Sequence, residues 1–310
     1  MSAILELDTD EVRLLVNATR LADGYGPVVC VKADQTGGLV AAELGSEPCV
    51  VIGVDVVAQN QSERSAIEST VFRSPLAAIA LCVLLRGGLV DSRDVRIARE
   101  SAVYSLLQAG PEFAQWQAGR PLRKSTEHSV DSVLVERFHD ELMITLNRPA
   151  HGNAVNRALR DGLCEAIAVA ALDRGIDTVT LRANGPNFCT GGDLDEFGTF
   201  PDPAASHVLR LQRSPARMLA RIGNRLCTYV HGTCAGSGIE LAAFSHRVVA
   251  HPATTFVLPE LSLGLVPGAG GTVSIVDRIG AQRTAWLLLT GWSINADTAL
   301  SWGLIDEIDG

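Results

Sequence analysis

The alternation of hydrophobic and polar positions divides the chain into two regions of different texture. In the first, VVCVKA (28–33) and CVVIGVDVV (49–57) are compact apolar runs of the kind that form short buried strands. SERSAIESTVFRSPLAAIALCVLLRGG (62–88) then places apolar residues at helical spacing and stops at the glycine pair 87–88, which predicts helices ended there. SRDVRIARESAVYSLLQAGPEFAQWQAGR (92–120) reads as one or two amphipathic helices. PLRKSTEHS (121–129) opens on proline, is polar and has no period, and reads as a linker.

From residue 130 strands and helices alternate. SVLVERFHDELMITLNRP (132–149) alternates apolar and polar residues about a polar turn, a hairpin pattern. NRALRDGLCEAIAVAALDRG (156–175) is an amphipathic helix ending at glycine. TVTLRA (178–183) is a strand, followed by the turn-rich NGPNFCTGGD (184–193). RLCTYVHG (225–232) is a strand, IELAAFSH (239–246) a helix, RVVAH (247–251) and TTFVLPE (254–260) short strands, and PGAGG (267–271) a glycine-rich loop. Repeated β-α units predict an α/β fold. The organisation expected is a mixed, mainly helical region over 1–125 and an α/β core over 126–310.

Composition narrows the class of protein. With 47% hydrophobic and 20% charged residues the 310-residue chain has enough apolar material for a sizeable core. A formal net charge of −9, without a basic stripe, argues against a nucleic-acid partner, though a few local Lys or Arg could still hold a phosphorylated small ligand. The first residues carry acidic side chains where a signal peptide carries basic ones, and the longest apolar stretch, 75–85, is too short to span a bilayer. The expectation is a cytoplasmic protein with no membrane segment. Seven cysteines with no CxxC pair and no ligand spacing with histidine predict reduced, mostly buried thiols and no zinc site.

The chemistry concentrates around HGTCAGSGIEL (231–241), too rich in small residues to fill a core and too apolar for a solvated loop. A structural reading needs only a tight strand-to-helix turn. A nucleotide loop of the form GxGxxG fails, because Leu241 stands where the third glycine belongs. A nucleophile elbow is met formally by Gly232-Thr-Cys234-Ala-Gly236, yet no histidine follows His251 to complete a triad. The remaining reading uses bare backbone. The first N–H groups of a helix have no internal partner, and with a second N–H from the NFCTGGDL loop they can form an oxyanion hole.

Four segments in this order, LNRPAHGNAVN (146–156), NFCTGGDLDEF (187–197), HGTCAGSGIEL (231–241) and LPELSLGLVPGAGGT (258–272), resemble the crotonase superfamily of enoyl-CoA hydratases and isomerases. The resemblance covers about residues 130–310. It implies a crotonase-like core of repeated ββα units and an acyl-CoA thioester substrate, with coenzyme A part of the substrate and no separate cofactor. It implies an oxyanion hole from the N–H groups of Gly192 and Ser237, where serine departs from the family's glycine but keeps the N–H. It also implies a homotrimer or dimer of trimers. Relatives continue past the equivalent of residue 310 into helices that cover the site. The segment 74–121 is similar to that run, which predicts that the first region supplies a helical cap as in a circular permutation.

Hydratases of the family use two glutamates, and both positions are filled, by Glu240 and Glu260. Hydration wants such a pair, one group to deprotonate water and one to protonate carbon. The alternatives stay open: an isomerase needs one base, a non-catalytic homologue would only bind acyl-CoA, and the two carboxylates could be a helix N-terminal charge and a loop acceptor. Asp193, Asp195 and Glu196 read as helix N-terminal charges, Cys189 and Cys234 as small buried residues, and His246 as local packing. Arg148 reads either as a ligand of a coenzyme A phosphate or as part of a solvated turn.

Overall fold

A computed structural model describes residues 4–6, 28–32, 55–86, 91–120, 131–200 and 202–309. The linker expected at 121–129, the glycine pair 87–88 and most of the 49–57 run lie outside the described residues. In the first region Ile4–Glu6 (β1), Val28–Lys32 (β2) and Val56–Ala58 (β3) form a parallel three-stranded sheet in the order β1-β2-β3. Four helices follow: Gln61–Arg73 (α1), Pro75–Arg86 (α2), Arg93–Gln108 (α3) and Pro111–Ala118 (α4). Asn60 caps α1 by accepting from the Glu63 N–H at 3.0 Å. Pro75 ends that run, because proline has no N–H and cannot continue a helix, and the next axis turns by 110°.

The hairpin forms as expected, with Val133–Phe138 (β4) antiparallel to Glu141–Leu146 (β5). Helix Arg157–Leu172 (α5), capped by Asn156, returns the chain to Thr178–Ala183 (β6), parallel to β5. Two helices absent from the sequence reading come next, Pro203–Gln212 (α6) and Pro215–Ile222 (α7). Each carries an Asp or Ser cap and a proline in its first turn, a start signal that was present in the sequence. Then come Leu226–Val230 (β7), Thr233–Ala235 (β8), Ser237–Ala242 (α8), Arg247–Ala250 (β9) and Thr255–Val257 (β10). The chain ends in Gly271–Thr290 (α9), broken at Gly280, followed by Ile294–Asn295 (β11), Ala296–Trp302 (α10) and Glu307–Ile308 (β12). The main sheet has the order β12-β9-β7-β6-β5-β4 and is parallel except for β4; a smaller sheet runs β11-β10-β8.

Leu142, Ile144, Val179 and Leu181 from the main sheet and Leu159, Leu163 and Ile167 from α5 are buried in one cluster. The cluster also takes in Ile67, Leu81 and Phe113 from the first region, so the two regions share a core. Each such side chain contributes roughly 1.5–3 kcal/mol on burial. The joint lies along α9, which packs against α1, α2, α3 and β3. Polar ties fix its register. The Trp286 indole donates to Glu63 at 2.9 Å, and Asp277 accepts from Arg93 at 2.8 Å and Arg96 at 2.6 Å. No single described helix is long and apolar enough to cross a membrane.

Because the core is shared, Leu81→Ala is expected to lower stability by about 2–5 kcal/mol. Urea denaturation followed by tryptophan fluorescence should show one transition moved to lower urea. A separate early transition for the first region, with the second untouched, would show that the two do not unfold together.

Candidate active site

The small residues of the 231–241 run are required because two loops meet there backbone to backbone. Cys189 and Cys234 form a parallel bridge, and the Ala235 N–H donates to the Cys189 carbonyl at 2.9 Å. A Cβ on Gly238 would stand 2.4 Å from that carbonyl oxygen. Gly236, at φ 46°, lies in the region that favours glycine. Cys234 is fully buried and burial pushes its thiol far up, so it offers no thiolate.

The same packing leaves two amides free. Val155 pins the first loop on either side of Gly192, donating to the Gly191 carbonyl at 2.8 Å and accepting from the Asp193 N–H at 2.9 Å. The Gly192 N–H itself has no protein acceptor among the described residues. Ser237 opens α8, so its N–H lacks an intrahelical partner and has none elsewhere among those residues. Gly192, Ser237, Glu240 and Glu260 line one cavity of about 520 Å³.

The two glutamates are held differently. Glu240, on α8 and buried, accepts with Oε2 from the Ala269 N–H at 2.7 Å and the Gly271 N–H at 2.9 Å. Glu260 opens the 3-10 turn Glu260–Leu263, and its Oε2 is buried with no partner among the described residues. A third carboxylate, absent from the sequence reading, enters from the first region. Glu100 of α3 is buried and accepts from the Gly270 N–H at 2.7 Å, the Thr272 N–H at 2.8 Å and the Thr272 hydroxyl at 2.7 Å. Four successive amides, 269 to 272, therefore serve Glu240 and Glu100 in alternation at the positive end of α9.

Burial raises all three carboxyls above the ordinary carboxylate range, and the Glu240 charge raises Glu100 and Glu260 further. The backbone donors work against that rise at Glu240 and Glu100, whereas only Glu260's own N–H does so at Glu260. Backbone donors thus favour the charged form at Glu240, and Glu260 lacks that support. A signal for Glu100 existed in the sequence: it stands on the apolar stripe of its helix, between Ile97 and Tyr104, where a charge is out of place.

Other candidates resolve into scaffolding. Arg148 pairs with Asp193 at 3.0 Å and donates to the Ala154 carbonyl, so it is neither a solvated turn residue nor turned to a ligand. Asp195 pairs with Arg120 at 3.2 Å. Glu196 accepts from the Arg157 N–H at 2.9 Å, which places it at the start of α5; residues 194–198 form turns and not a helix. Cys189 is buried, and the His246 N–H donates to the carbonyls of Gly223 and Leu226.

A raised carboxyl binds its proton more tightly folded than unfolded, so stability is lost as pH climbs from the ordinary carboxylate range toward the raised value. Melting temperature is therefore expected to fall with rising pH across that window, and Glu260→Gln, which is neutral throughout, to flatten the slope. An unchanged slope in Glu260→Gln would contradict the assignment of the proton.

The family described as enoyl-CoA hydratase/isomerase matches residues 141–310. The 2,3-dehydroadipyl-CoA hydratase of Escherichia coli K12 is 35% identical over 182 residues, 58% of this chain and 69% of that protein. An enoyl-CoA isomerase/hydratase of Mycosarcoma maydis is 33% identical over 174 residues, covering 53% of this chain and 64% of its own length. The crystal structure of enoyl-CoA hydratase from Thermoplasma volcanium GSS1 superposes with a TM-score of 0.53 at 29% identity, covering 58% of this chain and 72% of that one. The chain thus spans about two thirds of the length of these relatives, and over that span both sequence and fold agree: it belongs to the enoyl-CoA hydratase/isomerase family of the crotonase superfamily.

Proposed function

We propose that this protein hydrates the C2=C3 double bond of an enoyl-CoA thioester. The observation that carries the reading is the grouping, around one cavity, of two unpartnered amides with two buried carboxyls, one held by backbone donors and one with an unpartnered oxygen. The thioester oxygen would lie between the N–H groups of Gly192 and Ser237. As water adds, negative charge collects on that oxygen, and preorganised donors there cost no reorganisation. Glu240, ionised and steadied by Ala269 and Gly271, accepts a proton from water as the oxygen bonds to C3. Glu260, kept protonated, donates its proton to C2 as the enolate collapses. Water is thereby divided between C3 and C2, and transfer of the captured proton from Glu240 to Glu260 resets the pair. Coenzyme A enters as part of the substrate. The homotrimer or dimer of trimers and the cytoplasmic setting expected from the sequence belong to the same proposal.

Each of Glu240→Gln and Glu260→Gln keeps side-chain shape but removes proton transfer, and should cut hydration of an enoyl thioester by about 10²-fold or more. Loss of conjugated-thioester absorbance measures this directly. Should Glu240→Gln be nearly silent while a β,γ-enoyl thioester is isomerised well, the activity is isomerisation. Thermal stabilisation by acyl-CoA with no turnover of any enoyl thioester would leave a binding protein.

Ser237→Pro removes one of the two donors and should abolish activity, whereas Ser237→Gly keeps the N–H and the activity. Losing one such donor typically costs about 10²–10³ in rate. Equal rates in the Pro and Gly variants would remove Ser237 from the hole.

A further inference from the structure

Arg210 on α6 lines the same cavity, and every group that holds it is neutral. Its Nε donates to the Ser101 hydroxyl at 3.2 Å, and its Nη2 donates to the Ser101 carbonyl at 3.4 Å and to the Ser105 hydroxyl. Its guanidinium lies 4.7 Å from the centroid of the Tyr104 ring. Among the described residues no carboxylate comes within salt-bridge distance, and Nη1 has no hydrogen-bond acceptor. Glu100, a neighbouring carboxylate on α3, has committed both oxygens to Gly270 and Thr272. A guanidinium is charged at any physiological pH; the Glu100 charge acts on this one without pairing with it, and a half-buried cation without a direct ion pair is costly. The arrangement is a fork fixed in direction by two serines and a ring, with one edge left for an anion from outside the protein.

The position of that edge indicates which part of a substrate it meets. A Cβ on Gly268 would stand 2.7 Å from the Tyr104 ring, so the ring under Arg210 packs beside the loop whose next amide, Ala269, holds Glu240. Arg210 is thus grouped with the carboxyls that act on C2 and C3. The acyl chain runs on past those carbons, while the sulfur and coenzyme A leave from the thioester carbon. Resting on the hydratase reading above, we propose that the acyl group carries a second carboxylate at its far end, and that Arg210 binds it through Nη1. The substrate class is then an enoyl dicarboxylic acid held as a monothioester, and Arg210 is the residue that selects it.

The test compares trans-2-enoyl-CoA thioesters of matched length that end in methyl or in carboxylate, in the wild type, Arg210→Met and Arg210→Lys. The wild type should favour the carboxylate end in kcat/KM by roughly ten- to a hundredfold at the best length, as for one charge-assisted hydrogen bond. In Arg210→Met that ratio should collapse or invert, and in Arg210→Lys it should fall between. Reading the ratio guards against general damage, which lowers both substrates together. Affinity for free coenzyme A, measured by calorimetry, separates the two sources of an anion. An equal loss for both tails matched by weaker binding of free coenzyme A would assign Arg210 to a phosphate and overturn the proposal. A wild type with no preference at any length would also overturn it. If neither tail is hydrated, the hydratase reading has failed, and the Kd of saturated thioesters with and without the terminal carboxylate still decides for or against Arg210.

Discussion

Four consecutive backbone amides at the start of α9 hold the site together. Residues 269 and 271 donate to Glu240 and residues 270 and 272 to Glu100, so two carboxyls from the two regions of the chain are interleaved on one loop. Burial and the Glu240 charge raise the neighbouring carboxyls, and the amides oppose that rise where they donate. Glu240 receives donors that favour its charged form, whereas Glu260 has an oxygen with no partner among the described residues. The proposed division of labour between base and acid rests on this difference in backbone donors.

The same loop ties the first region to the second. Glu100, Tyr104, and Ser101 and Ser105 beneath Arg210 all sit on α3, yet the family match begins at residue 141. The α3 surface therefore works as a wall of the cavity. Its salt bridges to Asp277 and Arg217 fix it against α9 and α7, and the shared core behind it keeps the wall from separating. A small displacement of α3 would release Gly270 and Thr272, loosen the loop and move Glu240.

Much of the core was legible in the sequence, for reasons that can be named. Strand and helix periods over 132–183 and 225–260 were clear, and the structure follows them. The small-residue run was legible because close backbone approach leaves few residue types, as Gly236 and Gly238 show. The pair α6 and α7 was missed although Asp202-Pro203 and Ser214-Pro215 announce two helix starts. Glu100 and Arg210 were missed for a deeper reason. Arg210 looks like an ordinary surface charge, Glu100 is a charge out of place on an apolar stripe, and only the packing of α3 against α6 and α9 shows what each one meets. Arg148 was misjudged in the same way, since its partner Asp193 lies 45 residues along the chain.

The central claim is that one carboxyl removes a proton from water while another gives one to C2. Turnover of an enoyl-CoA thioester in deuterium oxide, read by proton NMR of the product, tests it most directly. The account predicts a 3-hydroxyacyl thioester with a single deuterium at C2, placed on one face. A product whose double bond has only moved to C3=C4, or a substrate recovered unchanged with no deuterium in it, would contradict it.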